Sequence, residues 1–220
     1  FEAPEPAATL VRTAVLGETE THTLMEIRWP VVGDFQAEGL LLEPKRKPVV
    51  LNIVHIPHGG VTPEQVLGLA QGGSAAAAGF AAPGPGCRMV LPAVVSRAKQ
   101  KYLSEIPNPY YGKQYAAMPG GKVMTSREFV YRPAYTMGRH IIGYEVQEVL
   151  ALVDWFHREN DKAPVRVEGW GDGGMLAFYA GALDARISET AVAGYFDCRD
   201  NLWQEPIDRN VFGLLREFGD

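Results

Sequence analysis

Two short stretches of the chain carry the residue types that chemistry at a carbonyl requires. The first is Gly169-Trp170-Gly171-Asp172-Gly173-Gly174, which follows the run Val165-Arg166-Val167-Glu168 and leads into an apolar stretch ending at Leu183. Strand, glycine-dense corner and helix in that order form the setting of a nucleophile elbow, whose G-x-S-x-G turn lifts an attacking side chain above a sheet. Laid over residues 169–173, the pattern puts Gly171 at the catalytic position, where glycine has no atom to attack with. Asp172, one residue later, is the candidate catalytic group, because a carboxylate can attack as a nucleophile or take a proton from a hydrolytic water. Its other role is structural: a carboxylate at a helix start meets free N–H groups and the positive end of the dipole. The second stretch is His58-Gly59-Gly60. Its glycines, like Gly173, let backbone N–H groups approach a bound ligand closely. A strand-to-helix loop also uses glycine simply to turn tightly.

Other constellations are thinner. Ser74, in Gly72-Gly73-Ser74-Ala75-Ala76, satisfies a small-x-Ser-x-small spacing after a run that reads as helix, not strand. Cys198 with Arg199 beside it could hold a thiolate, but no histidine partner can be named, and a structural thiol is the simpler reading. His55 and His58 at i, i+3, with His22 as a third, could ligate a metal. No acidic or cysteine ligand stands at a supporting spacing, so neither metal nor cofactor is expected. The aromatic set Tyr102, Tyr110, Tyr111, Tyr115, Phe129, Tyr131 and Tyr135 has the composition of a carbohydrate- or aryl-stacking lid, or of loop tyrosines packed on a sheet. Arg127, Arg132 and Arg139 among them suit an anionic substrate or internal ion pairs equally. Asp197, Asp200 and Asp208 are surface carboxylates by default.

The elements that must position these residues follow from periodicity and turn signals. Residues 1–20 read as a flexible lead-in, Pro- and Ala-rich over the first ten. Residues 21–29 and 35–42 form an antiparallel hairpin. Residues 49–54 are a continuous β-branched run bounded by prolines, suited to a strand buried on both faces. Thr62-Pro63 begins a helix, with a threonine cap and proline at the first helical position. Residues 88–95 are the next buried strand, and residues 99–134 lack clean periodicity and read as a long functional loop. A helix over 142–156 keeps Ile142, Val146, Val149, Leu150, Val153 and Phe156 on one face. A strand at 165–168, a helix at 174–183 and a strand at 187–196 complete a strand–helix alternation, which implies a doubly wound, mostly parallel α/β sheet with ligands at the carboxyl ends of its strands.

Composition bounds the function classes. The 220 residues are 46% hydrophobic and 21% charged, enough to bury a real core, and one domain over 21–220 is expected. A net charge of -5, with Lys45-Arg46-Lys47 the only basic cluster, argues against a nucleic-acid partner. No apolar run approaches the roughly 20 residues of a membrane span. Cys87 and Cys198 could pair, although two free thiols are the simpler state.

In this order, the hairpin, the strand ending in His55-Ile56-Pro57-His58-Gly59-Gly60, the helix before Val165, the glycine corner and Asp184-Ala185-Arg186-Ile187 resemble the α/β-hydrolase fold. The closer likeness is to its acetyl xylan esterase and dienelactone hydrolase branch, over about residues 21–196. The resemblance implies a carboxylic ester hydrolase acting on a small-molecule or carbohydrate ester, with His58-Gly59-Gly60 at the oxyanion and a site centred on Gly171 and Asp172. It also implies an acid and a histidine after the nucleophile, yet no histidine follows His157, and the last strands of the fold are not written in these residues. The alternative is a non-catalytic hydrolase-fold module of a larger polypeptide, with a partner chain or domain covering the sheet edge. A secreted or periplasmic setting is favoured over the cytoplasm.

Overall fold

The computed structural model describes residues 9–72, 81–100, 124–160, 162–195, 203–211 and 213. The chain divides into two compact units, Phe1–Val94 with Tyr144–Asp197, and Val95–Gly143 with Cys198–Asp220.

The first unit holds a seven-stranded sheet. Its strands are β1 (Val11–Glu18), β2 (His22–Val32), β3 (Phe35–Pro44), β4 (Leu51–Ile56), β5 (Cys87–Pro92), β8 (Val165–Trp170) and β9 (Ile187–Ala193), in the order β1-β2-β3-β5-β4-β8-β9. The short β6 (Lys99–Gln100) and β7 (Met124–Thr125) pair with each other in the second unit. The β1–β2, β2–β3 and β3–β5 contacts are antiparallel, and β4–β5, β4–β8 and β8–β9 are parallel. The sheet is therefore mixed, half and half, and not mostly parallel. Short turns suffice between antiparallel neighbours, whereas each parallel pair needs a crossover.

Residues 11–18, assigned above to a flexible lead-in, pair with β2 from Val11↔Arg28 to Glu18↔Thr23. Val11, Val15 and Leu16 stay exposed, so the strand is held by its backbone ladder and not by burial of an apolar face. A pattern read for burial passes over such an edge strand.

Helices cover both faces of the sheet. On one face lies α1 (Pro63–Val66), begun by a Thr62–Gln65 capping box, with Val66 packed among Leu42, Ile53, Met89 and Leu91. The helix α2 (Ser126–Thr136) belongs to the second unit. The other face carries α3 (Ile141–Asn160) and α4 (Asp172–Leu183). Val149, Leu152, Val153 and Phe156 of α3 are buried at i, i+3, i+4 and i+7. Trp29 of β2 donates its indole N–H to the Glu148 carbonyl at 3.1 Å, and the Arg88 guanidinium lies 4.7 Å over the Trp155 ring while bonding Glu43 at 2.8 and 3.0 Å. Beyond Asp172, α4 has no charged residue, and Met175, Leu176, Ala177 and Ala180 are fully buried. Such a helix is stable only inside a core. No helix among the described residues is long and apolar enough to cross a membrane.

In the second unit, α2 forms within the stretch read above as loop. Thr125 caps it through the Glu128 N–H, and its buried positions are Arg127 and Tyr131, while Phe129 and Val130 face out. A helix whose inward residue is an arginine carries no apolar stripe to read. Arg127 Nε and Arg97 Nη2 both bond Asp208 Oδ2, at 3.1 and 3.0 Å, and Arg132 bonds Glu128. These arginines serve internal ion pairs.

The junction between α4 and β9 is clipped by charge. Arg186 bonds Asp184, the C-cap of α4, and reaches Asp154 of α3 at 2.6 Å. The side-chain hydrogen bond from Arg186 holds the Asp184 carboxyl below its ordinary value. A lowered carboxyl contributes stability above its unfolded value of about 3.9, and the contribution is lost as pH falls through the folded value. Arg186→Gln should therefore lower the urea midpoint at pH 7 and have a smaller effect near pH 3. In the core, Phe156→Ala should cost about 3–5 kcal/mol in the same denaturation measurement.

Candidate active site

The corner after β8 is built by backbone geometry. Gly171 has φ +59° and ψ −115°, a conformation that costs other residues about 1–3 kcal/mol. Its N–H bonds the Ala193 carbonyl at 2.8 Å, and its carbonyl accepts the Met175 N–H at 3.0 Å, so strand, corner and helix are one hydrogen-bonded unit. No side chain caps α4, whose N-cap is Gly171 itself, and Asp172 is the first helical residue. Gly173 brings α4 against β4: a Cβ there would stand 2.0 Å from the Ile56 carbonyl oxygen.

That close approach sets the loop after β4 beside the corner. His58-Gly59-Gly60-Val61 is a turn closed by the Val61 N–H on the His58 carbonyl at 2.8 Å, a bond that uses neither glycine N–H. The His58 imidazole lies over Gly171. A Cβ built on Gly171 would be 2.5 Å from Nδ1 and 3.2 Å from Cε1. Glycine at the elbow is thus the residue that makes room for the histidine ring.

Asp172 is fully buried, while the His58 side chain is 41% exposed. Nδ1 of His58 lies 3.3 Å from Asp172 Oδ2 and 3.3 Å from the Asp172 backbone nitrogen. These contacts require opposite protonation of Nδ1, since the N–H needs a lone pair there and the carboxylate needs a proton. Both contacts are 3.3 Å, long for a hydrogen bond. A lone pair facing a buried carboxylate oxygen is repelled, and a proton in the same place is attracted. A ring whose proton on Nδ1 faces Oδ2 has its lone pair on Nε2, and one whose Nδ1 accepts the Asp172 N–H has its proton on Nε2.

Gly171, Asp172, Gly173 and the His58–Gly60 turn thus come together at the carboxyl ends of β4 and β8. The other candidates stand elsewhere. His22 bonds Cys87 O and Thr21 Oγ1, both at 2.9 Å, and Cys87 is a half-buried free thiol. Asp208 is held by arginines in the second unit. Ser74, Tyr102, Tyr110, Tyr111, Tyr115, Asp197, Cys198 and Asp200 lie outside the described residues. Among the described residues, no group of three or more His, Cys, Asp or Glu is placed to hold a metal.

One feature escaped sequence reading. Buried His55 of β4 bonds Glu168 of β8 through Nδ1 at 2.9 Å, directly across the parallel ladder. Only the strand register makes them neighbours, and register between distant strands is not written locally.

No family model matches the sequence, and no curated protein does. Solved structures do. A protein from Bacteroides fragilis assigned as an acetyl xylan esterase superposes with a TM-score of 0.60 at 15% identity, over 98% of this chain and 55% of that one. Acetyl xylan esterase 1 from a Thermoanaerobacterium species gives 0.53 at 13% identity, over 95% and 61%. An acetyl xylan esterase from a Paenibacillus species gives 0.50 at 16%, over 99% and 64%. The chain spans between 55% and 64% of the length of these structures. At such identity the likeness is one of fold: the mixed sheet with its flanking helices is similar to the α/β fold of these esterases.

Proposed function

We propose that the corner is a carboxylic ester hydrolase site for carbohydrate acetyl esters, working with water in place of a serine. The observation that carries the reading is the buried Asp172 carboxylate 3.3 Å from His58 Nδ1, directly over Gly171. A fully buried carboxylate does not meet water itself. It acts as a positioning residue, orienting a half-exposed imidazole and stabilising the charge that imidazole acquires.

The chemistry then balances simply. The ester carbonyl is held beside the exposed edge of the His58 ring. Nε2 of His58 removes a proton from water as the oxygen attacks the carbonyl carbon. Charge on the carbonyl oxygen meets backbone N–H groups of the Gly59-Gly60 turn, which the glycines allow to come near. Collapse of the tetrahedral intermediate breaks the ester bond, and the departing alkoxide takes the proton back from Nε2. One ester and one water become one acid and one alcohol, and His58 returns to its starting state. No metal or cofactor enters this reading.

A second reading is supported by Gly171 itself: without a nucleophile, the fold serves as a non-catalytic module that binds a ligand or partner. The outer edge of β9 pairs with no other strand among the described residues, and a partner adding a strand there would cover it. Neither reading involves nucleic acid or a membrane.

The intact protein assayed on acetylated xylan, with acetate release as the readout, separates the two. His58→Ala should lower kcat by about 10²- to 10⁴-fold, the usual contribution of a general base. Asp172→Asn should lower it less while the protein stays folded by circular dichroism. No hydrolysis by the unaltered chain would favour the binding module. Gly171→Ser should create no serine hydrolase, because its Cβ meets the His58 ring, and should cost about 1–3 kcal/mol of stability in urea denaturation.

A further inference from the structure

We infer that His140 is an acid-sensitive latch on the first turn of α3: the neutral ring caps the helix, and the protonated ring releases it. His140 immediately precedes Ile141, the first residue of α3. Its Nδ1 accepts the Ile142 N–H at 3.1 Å, which is the bond an N-cap side chain makes to the second helical residue. Its Nε2 lies 3.1 Å from the Asn210 carbonyl oxygen. A backbone N–H can only donate and a carbonyl can only accept, so both contacts demand the same tautomer: lone pair on Nδ1, proton on Nε2. The other bonded histidines differ. Nδ1 of His22 faces a hydroxyl that can give or take a proton, and Nδ1 of His58 faces an N–H and a carboxylate together.

A second proton on His140 has one place to go. It lands on Nδ1, donor then faces donor, and the bond to Ile142 is lost. The Nε2 bond survives, so the ring stays with Asn210 and lets go of the helix.

The charges around the ring decide how readily this happens. A cation here meets the positive end of the α3 dipole, whose first turn carries no acidic residue; Glu145 is the first carboxylate along the helix. From α2, the Arg127 guanidinium opposes the charge. The Tyr131 ring, 5.1 Å away edge to face, keeps its proton, which burial holds above the ordinary tyrosine value. Asp208, in the short turn Ile207–Arg209, favours the charge, although its Oδ2 already accepts from Arg97 and Arg127. Arg139, the preceding residue, is exposed. Burial outweighs these neighbours and holds His140 below its ordinary value. The neutral ring is thus the folded form. Its contribution is complete above the unfolded value of about 6.5 and is lost as pH falls through the folded value.

Imidazole nitrogen shifts and amide hydrogen exchange on the intact protein test the latch. At about pH 7.5, His140 should show a protonated Nε2 and a bare Nδ1. Between about pH 7.5 and about pH 5, either side of the ordinary histidine value, the Ile142 amide should lose about tenfold of its protection, the worth of one cap, after correction for the intrinsic pH dependence of exchange. Amides in the middle of α3 should keep theirs. Asparagine caps a helix without titrating, so in His140→Asn the protection of Ile142 should stay level with pH. A proton on Nδ1 at about pH 7.5, or Ile142 protection that ignores pH in the unaltered protein, overturns the proposal. So does an equal loss throughout α3, or the same loss in His140→Asn.

Discussion

The first turn of α4 lies against the end of β4 so tightly that a single methyl group on Gly173 would meet the Ile56 carbonyl oxygen at 2.0 Å. Most of what the corner can do descends from that contact. It buries Asp172 at the foot of the helix and brings the loop after β4 within reach of Gly171. It also explains why the corner is dense in glycine: backbone packs on backbone there, and any side chain would wedge helix and strand apart.

His58 occupies the space that opens when the elbow residue has no side chain. A Cβ at 171 would stand 2.5 Å from Nδ1 of that ring, so the ring must shift if the glycine is replaced. The two side chains differ in exposure: Asp172 is sealed from solvent and His58 is half exposed. A carboxylate so buried interacts strongly with whatever it touches, because little water screens it. Burial and reach are thus separated onto two side chains that meet at Nδ1.

The scaffold around this corner is asymmetric. Three parallel ladders, β5–β4–β8–β9, include the strands that lead into the His58–Gly60 turn and the Gly171 corner, and the antiparallel β1–β2–β3 ribbon extends the sheet on the far side. Charge, not apolar packing, fastens several of the joints: Arg88 between Glu43 and Trp155, Arg186 between Asp184 and Asp154, and Arg127 on Asp208 in the second unit. Edge positions and charged joints are where apolar patterning says least, and residues 11–18 and 126–136 are where the structure departs most from the sequence reading.

Local sequence determined the elements with strong period or punctuation. The capped start at Thr62, the apolar stripe of α3, the β-branched strands and the order strand, glycine corner, helix at residues 165–183 are all set by interactions within a few residues. So is the tight turn at Gly171, whose positive φ suits glycine. What only the tertiary structure decided is which groups meet there. Nothing near residue 58 states that its imidazole will lie over residue 171, more than a hundred positions away, or that Asp172 will be sealed beneath it. Those facts depend on β4 and β8 being neighbours in a parallel register and on how closely α4 can approach them. Register and interhelical distance are set by the summed packing of the whole core, which no short stretch of sequence contains.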